Sequence, residues 1–207
     1  MAYFQFWADD TMQTPLTVLS FSRDLAKTNT SKKGVVYFGS PLEIVKLQTT
    51  VNAGVDNVLI YPTLTLAAPE RNVAYSLGGC NDFIVNGYVF RLKTGGTTAA
   101  QMPAYSTNLG DLINDGTAQF QCVSKAHSVN ELRLALSEDG LQSAQWGQPL
   151  SLGNTVLGGA EIAVYYEFVD SVDNPFNDAN CPQLCISINE CTESLATQAE
   201  NGVFLNA

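Results

Sequence analysis

The sequence predicts an all-β protein, a β-sandwich of the jelly-roll or immunoglobulin-like type with a small β-module inserted into it. Short alternating or β-branched apolar runs recur along the chain, and Gly, Pro, Asn and Asp separate them. The chain is 45% hydrophobic but only 14% charged, against roughly 25% in ordinary soluble domains. Thr, Asn, Ser, Gly and Ala fill the difference, which suits β-sheets with polar but weakly charged surfaces.

A central stretch, residues 86–122, shows the strand pattern most clearly. Its two aromatic-bearing runs, 87–92 and 117–122, alternate apolar and polar residues, as strands with one buried face do. The turn signals Asn86-Gly87 and Asp115-Gly116 introduce the two runs. Gly and Pro between them leave no room for a helix of useful length. This stretch therefore predicts a small β-module with long, ordered turns.

Further strands are predicted on both sides of this module. The apolar runs that predict them are 14–21, 35–38, 42–48, 58–62, 131–137, 148–153, 154–159 and 160–170. Neither side alone can close a sandwich, whereas these eight runs together are enough for the about six or seven strands of a normal sandwich. The module is then an insertion on a sandwich loop. We predict a sandwich of 1–67 plus 128–172 and an inserted module of 68–127.

The last segment, residues 173–207, is turn-rich and has one apolar run, 184–188. It can be a fraying tail or a C-terminal arm that becomes ordered on a neighbouring subunit. Phe204 and Leu205 favour the arm, because a solvated tail rarely needs large apolar residues. They are therefore candidate partner contacts.

An aromatic patch near the N-terminus also has two interpretations. Phe4, Phe6 and Trp7 can belong to the core, or they can form a lip that docks on a neighbouring molecule. The core is the simpler explanation, and the lip makes these three residues further candidate partner contacts.

The charge balance restricts the classes of partner. A net charge of −10 and a pI near 4.3 argue against nucleic-acid binding and against attachment to anionic membranes. No apolar run approaches the ~20 residues that span a bilayer. The N-terminus has no basic region and no cleavage-site pattern, so we expect no signal peptide.

Five cysteines raise the question of a metal or a disulfide; they are Cys80, Cys122, Cys181, Cys185 and Cys191. The C-terminal three fit zinc poorly, because zinc prefers four ligands and the single histidine is distant in sequence. We expect reduced thiols, and a disulfide between Cys80 and Cys122 is the alternative for a particle that functions outside the cell.

No constellation in the sequence indicates catalysis. The chain has no G-x-S-x-G elbow, no Walker loop and no dinucleotide fingerprint. Carboxylates such as Asp111 with Asp115, or Glu161 with Glu167, have the spacing of ordinary exposed turn or strand positions. We therefore predict no enzyme, with no catalytic, cofactor-binding or metal-binding residues and no cofactor.

The central stretch resembles a short module that is common in bacteriophage structural proteins, where it reads NGY-x-Y, GTTG, EP-x-W and DGT-x-W. The matching residues are Asn86-Gly87-Tyr88, Gly96-Thr97-Thr98, Pro103, Gly110 and Asp115-Gly116-Thr117. The chain departs from the pattern at Ala99, where a Gly is usual, and at Tyr105 and Phe120, where tryptophans are usual. The flanking segment LRLALSEDGL…PLSLG…GGAEIAVYYEF resembles strands of phage virion proteins. With Phe38-Gly39-Ser40 and Ala53-Gly54-Val55-Asp56 upstream, the resemblance covers roughly residues 34–172.

This resemblance implies a non-enzymatic bacteriophage virion structural protein, an accessory capsid decoration or cement subunit or a tail-associated subunit. Such a protein would be made in the cytoplasm of the bacterial host, reside in the virion, form a homo-oligomer such as a trimer, and contact other virion proteins. The alternative is a carbohydrate-binding module of a tail fibre or adhesin, which would stack a host glycan on Tyr88, Tyr105 and Phe120. The same aromatics can instead fill the core of the module.

Overall fold

A computed structural model of the protein describes residues 3–19, 30–172 and 181–197. The described chain is nearly all β, with several antiparallel sheets, and this confirms the predicted all-β, sandwich-like fold class. The chain divides into two compact units. The first consists of Met1–Pro62, Val129–Val169 and Ile186–Ala207, and the second of Thr63–Ser128 and Asp170–Cys185.

Most of the described strands lie wholly or mainly in the first unit. They are β1 (Gln5–Trp7), β2 (Thr30–Gly39), β3 (Val45–Thr49), β4 (Leu59–Leu64), β11 (Leu132–Ala135), β12 (Leu150–Ser151), β13 (Val156–Leu157), β14 (Glu161–Asp170), β15 (Leu184–Ile188) and β16 (Cys191–Leu195). They form three sheets, with the strand orders β1-β2-β14-β11, β12-β4-β15 and β13-β3-β16. Two 3-10 helices, Val129–Glu131 and Asp139–Gln142, flank β11.

The sheets of the first unit share one hydrophobic core. Strand β3 shows how the sequence produces it, because Val45, Leu47 and Thr49 are buried while the residues between them are half-exposed. Ile60, upstream of the module in sequence, and Leu134, downstream of it, lie in the same cluster. The buried members are Phe4, Val36, Phe38, Val45, Leu47, Val58, Ile60, Leu132, Leu134, Val156, Val164 and Tyr166.

The N-terminal aromatics belong to this interior. Phe4 and Trp7 are 7% and 6% exposed, and Phe6 packs against the core with its ring centroid 5.1 Å from that of Phe38. The Trp7 indole N–H donates to the carbonyl of Gly39 at 3.0 Å. The lip interpretation is therefore corrected for Phe4 and Trp7, whose rings are buried within the unit, while Phe6 is half-buried.

The C-terminal segment also differs from the prediction. Its described part contributes β15, at the predicted place, and β16, which pairs with β3 along its whole length. It is therefore part of the fold in this region and not a separate arm. The apolar alternation does not predict β16, because Glu193 occupies its central inward position. The Glu193 carboxylate accepts hydrogen bonds from the backbone N–H groups of Tyr3 and Phe4 at 2.7 and 2.8 Å. Residues 198–207, including Phe204 and Leu205, lie outside the described residues.

The second unit contains the module. Its strands are β5 (Ala74–Tyr75), β6 (Asp82–Val85), β7 (Tyr88–Thr94), β8 (Gly96–Thr97), β9 (Leu112–Asp115) and β10 (Ala118–Lys125). Four of them form a sheet in the order β6-β7-β10-β9, and β5 pairs with β8. Asn86 and Gly87, with φ of 52° and 77°, form the two-residue turn between β6 and β7, as the Asn-Gly signal predicts.

The observed boundaries differ from the predicted ones in the connecting segments. The second unit begins at Thr63 and also takes Asp170–Cys185, which the sequence assigned partly to the arm. Within the predicted run 14–21, the described residues make only a bridge between Pro15 and Trp7, and residues 20–21 lie outside the described part. The bridge is held by two backbone hydrogen bonds, from the Leu16 N–H to the Phe6 carbonyl and from the Ala8 N–H to the Thr14 carbonyl, both at 2.9 Å.

One disulfide, between Cys80 and Cys181, joins the module to the segment that follows β14. The expected Cys80–Cys122 pair is therefore wrong, and the expectation of reduced thiols is wrong for Cys80 and Cys181, whereas Cys122, Cys185 and Cys191 are free. Cys122 is instead fully buried in β10 as a thiol, and burial raises the pKa of that thiol. Its place in the core leaves it no access to Cys80.

Candidate functional site

The motif residues of the module form an interlock between two turns. Gly96-Thr97-Thr98 and Asp115-Gly116-Thr117 face each other: the Thr117 N–H donates to the Thr97 carbonyl at 2.9 Å, and the Thr97 N–H donates to the Thr117 hydroxyl at 2.8 Å. A Cβ on Gly116 would lie 2.2 Å from the Thr97 carbonyl oxygen. Only glycine permits this close approach together with a φ of 64°.

Asp115 is the polar centre of the interlock. Its side chain is fully buried and accepts three hydrogen bonds, from Arg71 Nη1 at 2.7 Å, from the Ala99 N–H at 2.8 Å and from the Tyr105 hydroxyl at 2.8 Å. The departures from the phage pattern thus have local explanations. Ala99 contributes only its backbone N–H, and Tyr105 adds a hydroxyl that a tryptophan would lack.

The protonation states of this cluster follow from its geometry. Burial by itself would raise the pKa of the Asp115 carboxyl, but the hydrogen bonds from Ala99, Arg71 and Tyr105 outweigh it and hold the pKa below its ordinary value. Burial and the neighbouring Asp115 carboxylate raise the pKa of the Tyr105 phenol. Around neutral pH, Asp115 is therefore charged and Tyr105 is protonated. Neither state suits proton transfer at neutral pH, so the cluster's chemistry is that of a buried structural ion pair.

The aromatic residues considered for sugar stacking lie mostly inside the second unit. Tyr105 and Phe120 are 6% and 0% exposed, and Tyr88 is half-buried and packs against the same core. The Tyr105 ring also stands edge-on to Phe90, with centroids 4.7 Å apart. A glycan cannot stack on faces that the core covers, so the structure corrects the stacking role of Tyr105 and Phe120 in favour of the core.

A second buried ion pair lies in the first unit. Glu167 on β14 accepts from Arg133 Nε and Nη2, at 3.0 and 2.6 Å, and from the Ser31 hydroxyl at 2.8 Å. The Arg133 guanidinium also lies 4.5 Å from the centre of the Trp146 ring. Sequence reasoning treated Asp115 and Glu167 as exposed, which was wrong: they are 0% and 8% exposed. No local signal marks them, because their arginines are 44 and 34 residues away.

Several of the most exposed apolar side chains lie next to one sheet of the first unit. Among the described residues, the five most exposed large apolar side chains are Val55 (75%), Leu195 (71%), Val51 (67%), Leu77 (63%) and Ile44 (61%). Four of these flank or belong to the sheet β13-β3-β16. Ile44 directly precedes β3, Val51 and Val55 follow it in one loop, and Leu195 ends β16 opposite Val45. We call these four residues the β3 apolar set.

The fold and these features define an all-β protein with a sandwich unit and a motif-bearing module. No protein-family model, curated protein or solved structure matches the chain. In residues 3–19, 30–172 and 181–197, no three or more His, Cys, Asp or Glu side chains are grouped so that they could hold a metal ion. Over the same ranges, no helix has the length and apolar character required to cross a membrane.

Proposed function

We propose that this protein is a non-enzymatic structural subunit of a bacteriophage particle, attached to the capsid or the tail, and that it works through protein–protein contacts. The β3 apolar set is the observation that carries this proposal. Ile44 and Leu195 lie at one end of the β3–β16 pair, and Val51 and Val55 lie in the loop beyond its other end. Exposed large apolar side chains of this kind are found at the centres of protein contact sites. The resemblance of the module to phage structural proteins supports the particle as the setting.

The buried ion pairs support the same role. Asp115 and Glu167 are both buried, and each is paired with an arginine of its own unit. A rigid subunit that carries contacts on its outside needs such internal fixation, since loss of conformational freedom on binding opposes affinity. The glycan alternative has no comparable support, because two of its three aromatic residues are buried.

The first test is the presence of the chain in purified particles of the phage that encodes it. We expect it to sediment with particles in a density gradient, in many copies per particle by quantitative mass spectrometry. A chain that stays in the soluble fraction would contradict the role.

The second test uses the β3 apolar set. Ile44→Lys and Leu195→Lys should lower incorporation at least about tenfold, because burying one such side chain contributes about 1.5–3 kcal/mol. Both positions are exposed in the subunit, so its melting temperature should stay nearly constant. Leu77→Lys, at a similarly exposed residue of the second unit, is the matched control and should incorporate normally. Equal losses for all three variants would show that the β3 apolar set has no special role.

A further inference from the structure

An open cleft of about 500 Å³ lies beside the loop that carries Val51 and Val55, two members of the β3 apolar set. It is formed by the loop 50–57, which carries Val51 and Val55, and by the turn 189–190 between β15 and β16. The lining residues are Thr49, Val51, Asp56, Asn57, Leu59, Asn189 and Glu190. The cleft thus combines two apolar side chains with two carboxylates.

Hydrogen bonds hold the loop of this cleft in one conformation. The Asn52 carbonyl accepts from the Val55 and Asp56 N–H groups at 2.9 and 3.1 Å, and the Asn52 side chain donates to Asp56 at 3.0 Å. The Asn154 side chain donates to the Gly54 carbonyl at 2.8 Å. Such a loop presents Val51 and Val55 to solvent without much conformational freedom, which lowers the entropy that a partner would have to remove on binding.

The opposite wall is fixed in a similar way. The Asn189 side chain accepts from the Leu59 N–H at 2.8 Å and donates to the Asn57 carbonyl at 3.1 Å. The Glu190 carbonyl accepts from the Thr50 N–H at 3.1 Å. The backbone of Glu190 is therefore fixed by this hydrogen bond, and the residue itself is exposed.

The charge of the cleft defines its partner. Asp56 and Glu190 are both exposed, and the described residues that line the cleft include no lysine or arginine. The whole chain carries −10, so its long-range field also favours a cationic partner. Val51 and Leu59 add an apolar surface next to the carboxylates. A side chain with both a positive charge and an apolar neighbour matches this combination.

We propose that this cleft binds a segment of a partner protein that presents lysine or arginine beside a large apolar side chain. The inference rests on the proposed contact-making role and adds the chemistry of one partner to it. A carboxylate on each side of the apolar floor would orient such a segment, since complementary charge contributes more to specificity than to affinity.

The test titrates the full chain with the synthetic peptide acetyl-Leu-Arg-Leu-Arg-Leu-amide and follows its amide resonances by NMR. We expect saturable shifts at residues 49–59 and 189–190 that weaken as salt is added. Two further peptides isolate the two requirements, one with serine in place of leucine and one with glutamate in place of arginine. Neither should saturate the site. Equal shifts with either of them, or no saturable shift with the first, would overturn the proposal.

Variants of the cleft give a second measurement. Val51→Ser should weaken peptide binding about tenfold through lost apolar contact, and Glu190→Gln up to about fivefold through one lost ion pair. Leu136→Ser and Glu138→Gln, exposed residues of the same unit outside the cleft, should leave binding unchanged. If the cleft variants instead dissociate an oligomer of the free protein in analytical ultracentrifugation, the occupant is a second copy and the proposal is wrong.

These outcomes can be separated from those of the proposed function. Particles could incorporate Val51→Ser and Glu190→Gln normally while excluding Ile44→Lys. The structural role would then stand and the cleft inference would fail. Absence of the wild-type chain from particles would refute the role itself, whatever the peptide does.

Discussion

Replacing Asp115 with asparagine tests whether the motif interlock stabilises the second unit. The change keeps the volume of the side chain but removes the charge and one acceptor oxygen from a fully buried site with three donors. Removing one partner of a buried ion pair costs about 3–5 kcal/mol, because the remaining charge is uncompensated. The Arg71 side chain is 22% exposed, so water solvates part of its charge. We therefore expect a loss at the low end of that range, about 3 kcal/mol.

The assay must report on the second unit alone. Both tryptophans, Trp7 and Trp146, belong to the first unit, so intrinsic fluorescence does not follow the module. Hydrogen exchange of the backbone amides of β7 and β10 follows the module directly. A loss of about 3 kcal/mol in its unfolding free energy should accelerate the slowest exchange of these amides by roughly a hundredfold. Tryptophan fluorescence then serves as an internal check that the first unit is unchanged.

A matched substitution separates the network from the simple loss of a carboxylate. Glu70→Gln makes the same chemical change at an exposed residue of the second unit and should alter exchange less than about twofold. Tyr105→Phe removes one donor to Asp115, and the double variant with Asp115→Asn should lose less than the sum of the two changes, since both act on one network. The interlock explanation fails if Asp115→Asn accelerates exchange less than about fivefold, or no more than Glu70→Gln.

Three further predictions concern the second unit. Because the folded pKa of Asp115 lies below its ordinary value of about 3.8, the stabilisation by its charge is complete above that pH and is lost as pH falls through the folded pKa. Amide exchange from β10 should therefore accelerate below about pH 4. A pH-independent rate in that range, after correction for intrinsic exchange, would contradict this. Reduction of Cys80–Cys181, a cross-link across 101 residues, should cost up to about 4.7 kcal/mol and lower the calorimetric melting temperature, while the Cys80→Ser, Cys181→Ser double variant should not respond to reductant. Gly116→Ala should destabilise the protein by more than about 3 kcal/mol, because its Cβ would lie 2.2 Å from a carbonyl oxygen. Gly87→Ala, whose Cβ would meet no atom within 4 Å, should cost only about 1–2 kcal/mol for its positive φ. Equal losses of stability in urea unfolding would refute this distinction.

The parts of the fold that the sequence predicts well are those with short-range causes. Strand β14 occupies Glu161–Asp170, within one residue of the apolar run 160–170, because alternation is a property of the strand itself. The turn at Asn86-Gly87 follows from two residues that tolerate positive φ. Placing Ile60 and Leu134 in one core needed only the count of strands on each side of the module.

The parts that it does not predict have long-range causes. The partner of Cys80 is 101 residues away, and the arginine that fixes Asp115 is 44 residues away. No local pattern distinguishes Cys181 from Cys122 as the partner, because the choice depends on which segments the folded second unit brings together. The sequence also does not predict strand β16, because the hydrogen-bond partners of its inward Glu193 are backbone N–H groups of the N-terminal segment, about 190 residues distant.

The location of the motif residues bears on what a shared motif can mean. Gly96, Asp115 and Gly116 act on backbone and side chains of the second unit, and Asp115 is fully buried. Residues with these tasks specify how the module folds, which accounts for the motif without any contact to a partner. The motif therefore explains the fold of the module, and it does not by itself identify the partner. If the proposed role is correct, the choice of partner depends on exposed residues outside the motif, and the β3 apolar set and its cleft are where substitutions should change the partner without changing the melting temperature.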